Sequence, residues 1–122
     1  MLSFARNIPW MDDAMKAGEW QKISGHTLME STLGVIGVGN IGKAVIRRAR
    51  AFGMTILATD IIEIEPDFII EQGIEMTSLE DLLQRADYIS LNVSLNPTSY
   101  HLINAQTLSY VKPSAVLINS CR

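Results

Sequence analysis

The residues whose types and spacing could do chemistry are the glycines of Gly37-Val38-Gly39-Asn40-Ile41-Gly42 and one acid, Asp60. A pyrophosphate is doubly negative and must come closer to the main chain than a badly placed Cβ would allow. Gly37 permits a tight strand-to-helix turn, Gly39 lets the backbone approach the phosphates, and Gly42 lets the following helix pack against the strand. The free N–H groups and positive dipole end of a helix opening near Asn40 and Ile41 would then face the anion. Asp60 lies eighteen residues beyond Gly42, close to the spacing of about twenty at which an acid meets the adenosine ribose hydroxyls. A carboxylate there also repels a ribose phosphate, and neither Ile61 nor Ile62 supplies a cation, so the pattern favours NAD over NADP. The bland alternatives are a glycine turn used only for packing and a solvated acid at a strand end. The elements on either side of the glycines decide between them.

Leu33-Gly34-Val35-Ile36 is a short apolar run ended by glycine, as expected of a parallel strand buried on both faces. Residues 41–52 place Ile41, Ala44, Val45, Ala49 and Phe52 at helical spacing, and Gly53 is a helix stop. Residues 54–59 form a second strand that ends at Asp60. The glycines therefore sit between a strand and a helix, inside a βαβ unit of about 27 residues. Farther on, the pattern predicts a helix or turn over 67–72, a short strand over 74–76 and a helix from Ser78 to about Arg85. Ser78 and Asp81 have capping-box spacing there. A strand over 88–92, turn chemistry over 94–99, a short helix over 104–110 and a last strand over 115–119 follow. Strands alternating with helices require long crossovers, so the expected fold is α/β, a Rossmann-type doubly wound parallel sheet. Residues 1–32 read as a helical or irregular lead-in, with Pro9, Gly18 and Gly25 as breaks and a helix over 11–17. Residues 33–122 read as a partial cofactor domain.

Composition narrows the field. With 48% apolar and 19% charged residues, the 122-residue chain has the balance of a folded domain. A net charge of −3, with no basic run beyond Arg47-Arg48-Ala49-Arg50, argues against nucleic acid, and that cluster reads as a solvated helix face. The apolar runs are strand-length, and the first residues lack the pattern of a signal peptide, so a cytoplasmic, membrane-free location is expected. The single cysteine, Cys121, cannot close an internal disulfide or build a zinc cluster.

Several separated blocks resemble the D-2-hydroxyacid dehydrogenase family, which includes phosphoglycerate dehydrogenase and D-lactate dehydrogenase. They are Ala17-Gly18-Glu19-Trp20, residues 32–42, Ala51-Phe52-Gly53-Met54, Ser78-Leu79-Glu80-Asp81-Leu82-Leu83, Ala86-Asp87, Leu95-Asn96-Pro97-Thr98, His101-Leu102-Ile103-Asn104 and residues 112–122. The resemblance implies an NAD-dependent oxidoreductase moving a hydride between NAD and a 2-hydroxy or 2-oxo acid. It places Asn92, Val93, Ser94, Leu95, Thr98, Ser120 and Cys121 near the nicotinamide half of NAD. Arg122 takes the position of the arginine that grips the substrate carboxylate. Ser94 stands where the family usually has proline, and Asn92 where histidine or asparagine is common.

The family's catalytic histidine and glutamate and its substrate domain have no counterpart in these residues. The expectation is thus an excised piece without activity of its own. His101 corresponds to a helix entrance and His26 to the surface. The family commonly dimerises through its cofactor domain, and residues 1–25 could supply an arm. Two other readings use similar parts: an NAD-sensing corepressor of the same fold, and an S-adenosylmethionine-dependent methyltransferase. Gly42 and the later blocks argue against the second.

Overall fold

The computed structural model describes residues 1–121. Two helices, α1 (Leu2–Ala5) and α2 (Ile8–Lys16), precede the first strand, β1 (Thr32–Ile36). Then come α3 (Asn40–Ala51), β2 (Thr55–Thr59), α4 (Pro66–Gln72) and β3 (Ile74–Met76). The rest is α5 (Leu79–Arg85), β4 (Tyr88–Leu91), α6 (Ala105–Leu108) and β5 (Val116–Asn119). Every strand pair is parallel, in the order β3-β2-β1-β4-β5. From β1 the chain winds outward to β2 and β3, recrosses the sheet, and continues on the other side of β1 through β4 and β5. The connections leaving β1 and β4 therefore diverge, which opens a crevice at the carboxyl ends of these two neighbours.

Apolar layers cover both faces of the sheet, which is why its inner strands read as continuous hydrophobic runs. On one face, Val35, Ile56 and Ala58 pack with Ile46 and Ala49 of α3 and Phe68 of α4. On the other, Ile36, Leu57 and Ile89 pack with Leu82, Leu83 and Ala86 from α5 and its end. Gly34 lies beneath α5, where a Cβ would stand 2.5 Å from Leu82 Cδ2 and 3.0 Å from Ala86 Cβ. The missing side chain lets α5 close on β1.

The expected strands and helices all form, and three local readings change. In α3 the buried positions are Gly42, Ile46 and Ala49, whereas Ile41 and Phe52 are 66% and 48% exposed. The buried stripe is shifted by about one residue around the helix from the expected one, because close packing of Gly42 on the turn points Ile46 at the sheet. Pro9 lies in the first turn of α2, where its missing N–H costs nothing, so it helps start the helix and does not break it. Ser78 Oγ accepts from the Asp81 N–H at 3.2 Å, but the Asp81 carboxylate takes the Thr77 hydroxyl and Arg85, leaving half a capping box. The full box belongs to α6: Asn104 Oδ1 accepts from the Thr107 N–H at 3.1 Å, and Thr107 Oγ1 from the Asn104 N–H at 2.8 Å. The lead-in is tied to the body, since Ala5 and Leu28 are buried in the same layer as α3.

Candidate dinucleotide site

The turn after β1 contains glycines of two kinds. Gly37 has φ +91°, a conformation that side chains disfavour, and a Cβ there would lie 2.8 Å from the Asn92 carbonyl oxygen. At Gly42 a Cβ would strike the Gly37 carbonyl oxygen. Both positions are glycine because the protein's own backbone leaves no room. Gly39 is different: its φ is −71°, and a Cβ would meet nothing within 4 Å. The chain does not need glycine there, so the open volume in front of Gly39 is space kept free for something else to occupy.

The hydrogen-bond donors around that space are the unpaired ones of a helix start. The first bond that closes α3 runs from the Lys43 N–H to the Gly39 carbonyl at 2.8 Å, so the N–H groups of Asn40, Ile41 and Gly42 come before the ladder begins. Together with the helix dipole they suit an anion. Asp60 points into this corner: its Oδ2 accepts the Val38 N–H at 2.6 Å and its Oδ1 the Ile62 N–H at 3.1 Å. Each carboxylate oxygen retains a lone pair with which to accept from a sugar hydroxyl.

A cleft of about 300 Å³ opens at the carboxyl ends of β1, β2 and β4. Gly37, Gly39 and Asp60 line one side of it, and Asn92, Val93, Ser94 and Thr98 the other. Asn40 and Ile41 lie on the exposed first turn of α3 and are not among the residues lining the cleft. Leu95 and Cys121 border a second, adjoining cleft that shares Val93, Ser99 and Leu102 with the first. Ser120 is exposed and lines neither cleft, and Arg122 lies outside the described residues.

Asn96 and Ser99 also line the first cleft, and their role escaped the sequence reading. Asn96 Oδ1 accepts from the Thr98 and Ser99 N–H groups at 2.9 and 3.1 Å, and Ser99 Oγ donates to the Ser94 carbonyl at 2.6 Å. These bonds make the loop after β4 a firm wall. The Asn-Pro pair was its sequence signal. His101 has φ +52°, stacks on Tyr100 with ring centroids 3.9 Å apart, and borders the second cleft.

Charge is arranged differently at the amino ends of the strands. Burial works against ionisation of Asp87, but the Thr32 N–H at 2.8 Å and the Lys112 ammonium at 2.9 Å outweigh it and hold its carboxyl below the usual range. Burial, with the nearby charge of Asp87, pushes the Tyr88 hydroxyl up. His26, expected at the surface, is exposed, yet its Nε2 is 3.1 Å from that hydroxyl and ties the lead-in to β4. Among the described residues no cluster of His, Cys, Asp and Glu could hold a metal. Among the described residues no helix is long and apolar enough to cross a membrane.

A parallel sheet in this order, with a glycine turn opening onto the crevice and an acid at the end of the neighbouring strand, defines a dinucleotide-binding domain of the Rossmann type. Comparison with known proteins makes this specific. The chain belongs to the D-isomer specific 2-hydroxyacid dehydrogenase family, as its NAD binding domain, with the family model matching residues 1–122. It is 39% identical to the D-3-phosphoglycerate dehydrogenase of Methanocaldococcus jannaschii over 125 residues, covering 100% of this chain and 24% of that protein. It is 40% identical to the glyoxylate reductase of Korarchaeum cryptofilum over 129 residues, covering 100% of this chain and 38% of that one. The D-lactate dehydrogenase from Aquifex aeolicus, solved with NAD and lactic acid, superposes with a TM-score of 0.91 at 35% identity, covering 99% of this chain and 37% of that one. The chain thus spans between a quarter and two-fifths of the length of these relatives.

Proposed function

We propose that this chain holds NAD for hydride transfer between the cofactor and a small 2-hydroxy or 2-oxo acid. The observation that carries the reading is the open space at Gly39, faced by unpaired N–H groups and flanked by Asp60. NAD, when bound, supplies the group that accepts or gives the hydride. This chain's residues bind and orient it. Gly37, Gly39, Asn40, Ile41 and Gly42 form the pyrophosphate seat, and Asp60 accepts from the ribose hydroxyls and disfavours a 2′-phosphate. Asn92, Val93, Ser94, Leu95 and Thr98 form the wall toward the nicotinamide, with Ser120 and Cys121 beyond them. Arg122 would grip the substrate carboxylate with two hydrogen bonds. The similarity of the chain to a glyoxylate reductase and a D-lactate dehydrogenase supports a small 2-oxo or 2-hydroxy acid as substrate.

In this reading residues 33–122 are the cofactor-domain part and residues 1–32 a lead-in arm. Leu2, Ile8, Trp10 and Met15 of the arm are each about half exposed, from 50% to 53%, which supports a homodimer formed through this domain. A cytoplasmic location accords with the single free cysteine. The neighbours found support neither an S-adenosylmethionine methyltransferase nor a corepressor. The test is a fluorescence titration with NADH, NADPH and S-adenosylmethionine. Saturable NADH binding that exceeds the other two is expected, and binding of S-adenosylmethionine in its place would overturn the reading. The 122-residue chain alone should bind NADH without oxidising it in the presence of 2-oxo acids.

A further inference from the structure

Asp60 makes a contact that a ribose acceptor does not require. Its Oδ2 takes the N–H of Val38, a residue only 1% exposed, at 2.6 Å. A buried N–H that loses its partner is costly, because water cannot easily replace it. The turn is fixed at its two ends, by the bond from the Gly37 N–H to the Thr59 carbonyl at 2.9 Å and by the packing of Gly42 on Gly37. Between them, a Cβ at Gly39 would meet nothing within 4 Å, and the Gly39 carbonyl is held from the helix side by the Lys43 N–H at 2.8 Å. The Asp60 side chain adds a tether from the sheet side, at the Val38 N–H, and the Ile62 N–H at 3.1 Å in turn holds the carboxylate in place.

We propose that Asp60 is a positioning residue for the phosphate turn, setting the direction of the Gly39 and Asn40 amides in addition to meeting the sugar. This rests on the NAD reading for its ligand, but the tether itself belongs to the ligand-free chain. It carries a consequence for cofactor choice. Replacing Asp60 to admit a 2′-phosphate loosens the pyrophosphate seat that both nucleotides share, so the exchange weakens NAD without a matching gain for NADP.

The experiment uses the full chain with Asp60→Ala and Asp60→Asn, and it reads two quantities. Asparagine can still accept the Val38 N–H whereas alanine cannot, and both lack the charge, so their difference reports the hydrogen bond. Hydrogen exchange of the Val38 amide without ligand should speed up about tenfold in Asp60→Ala and stay close to wild type in Asp60→Asn. Affinity for 2′,3′-dideoxy-ADP, which has no ribose hydroxyls to offer, should fall about tenfold in Asp60→Ala and largely recover in Asp60→Asn. Where Asp60→Ala does not fold, Asp60→Leu replaces it. Unchanged Val38 exchange, or equal affinity of wild type and Asp60→Ala for the dideoxy nucleotide, overturns the proposal. If wild type binds neither NADH nor this analogue, the NAD reading fails, and the exchange measurement alone then decides whether Asp60 positions the turn.

Discussion

Substituting alanine at Gly39 and at Gly42 should separate binding from stability. At Gly39 the backbone is extended, with φ −71° and ψ −166°, and the new methyl meets nothing within 4 Å. Alanine restricts the unfolded chain, a gain of about 0.4–1 kcal/mol, but it is a poorer helix N-cap than glycine by a similar amount. The two effects offset, so stability should stay within about 1 kcal/mol of wild type. The methyl nevertheless occupies the phosphate seat. Losing even one charge-assisted N–H bond to the phosphates, about 1.5–3 kcal/mol, weakens NADH binding roughly 10- to 100-fold.

At Gly42 alanine gains about 1 kcal/mol of helix propensity. Its Cβ collides with the Gly37 carbonyl oxygen, and a backbone atom cannot rotate aside as a side chain can. Overpacking costs about 1–3 kcal/mol, and a clash with rigid backbone lies toward the upper end, so a net loss of about 2 kcal/mol is expected, with weaker binding as α3 retreats from the turn. Urea unfolding measures the first quantity and NADH fluorescence titration the second. The reasoning is refuted if Gly39→Ala binds NADH with wild-type affinity, since the space would then have no bearing on the cofactor. It is equally refuted if Gly42→Ala is as stable as wild type.

Other outcomes can be measured on the same chain. Gly34→Ala pushes a methyl into Leu82, and Leu82→Ala empties a fully buried site at about 2–5 kcal/mol, so urea unfolding of the double variant should show a cost below the sum of the two singles. Asp87 has its folded-state pKa below its unfolded value, so its stabilisation is present above that value and is lost as pH falls through the folded one. The urea midpoint of Asp87→Asn should therefore trail wild type above about pH 5 and converge on it only as pH falls well below about 4; a gap independent of pH would contradict this. Asn104→Ala removes the acceptor of the α6 capping box and should lower stability by about 1 kcal/mol, read from thermal unfolding.

Much of this protein follows from features local in sequence. Glycine spacing, the apolar runs of buried parallel strands and an acid at a strand end are each confined to a few neighbouring residues. The turn from Gly37 to Gly42 and the placement of Asp60 were therefore legible, as was the alternation of strand and helix. Other features depend on residues far apart. That Asn92 closes over Gly37 follows from β4 pairing beside β1, a register fixed by packing on both faces of the sheet. The buried stripe of α3 turns on Ile46 because Gly42 must meet the turn, and no helical wheel contains that contact. The Asp60 carboxylate meets the Val38 N–H across 22 residues of chain. Spacing could suggest an acid near the sugar, but only the folded sheet could direct one of its oxygens at the backbone of the turn, because that choice is made by the approach of β2 to β1.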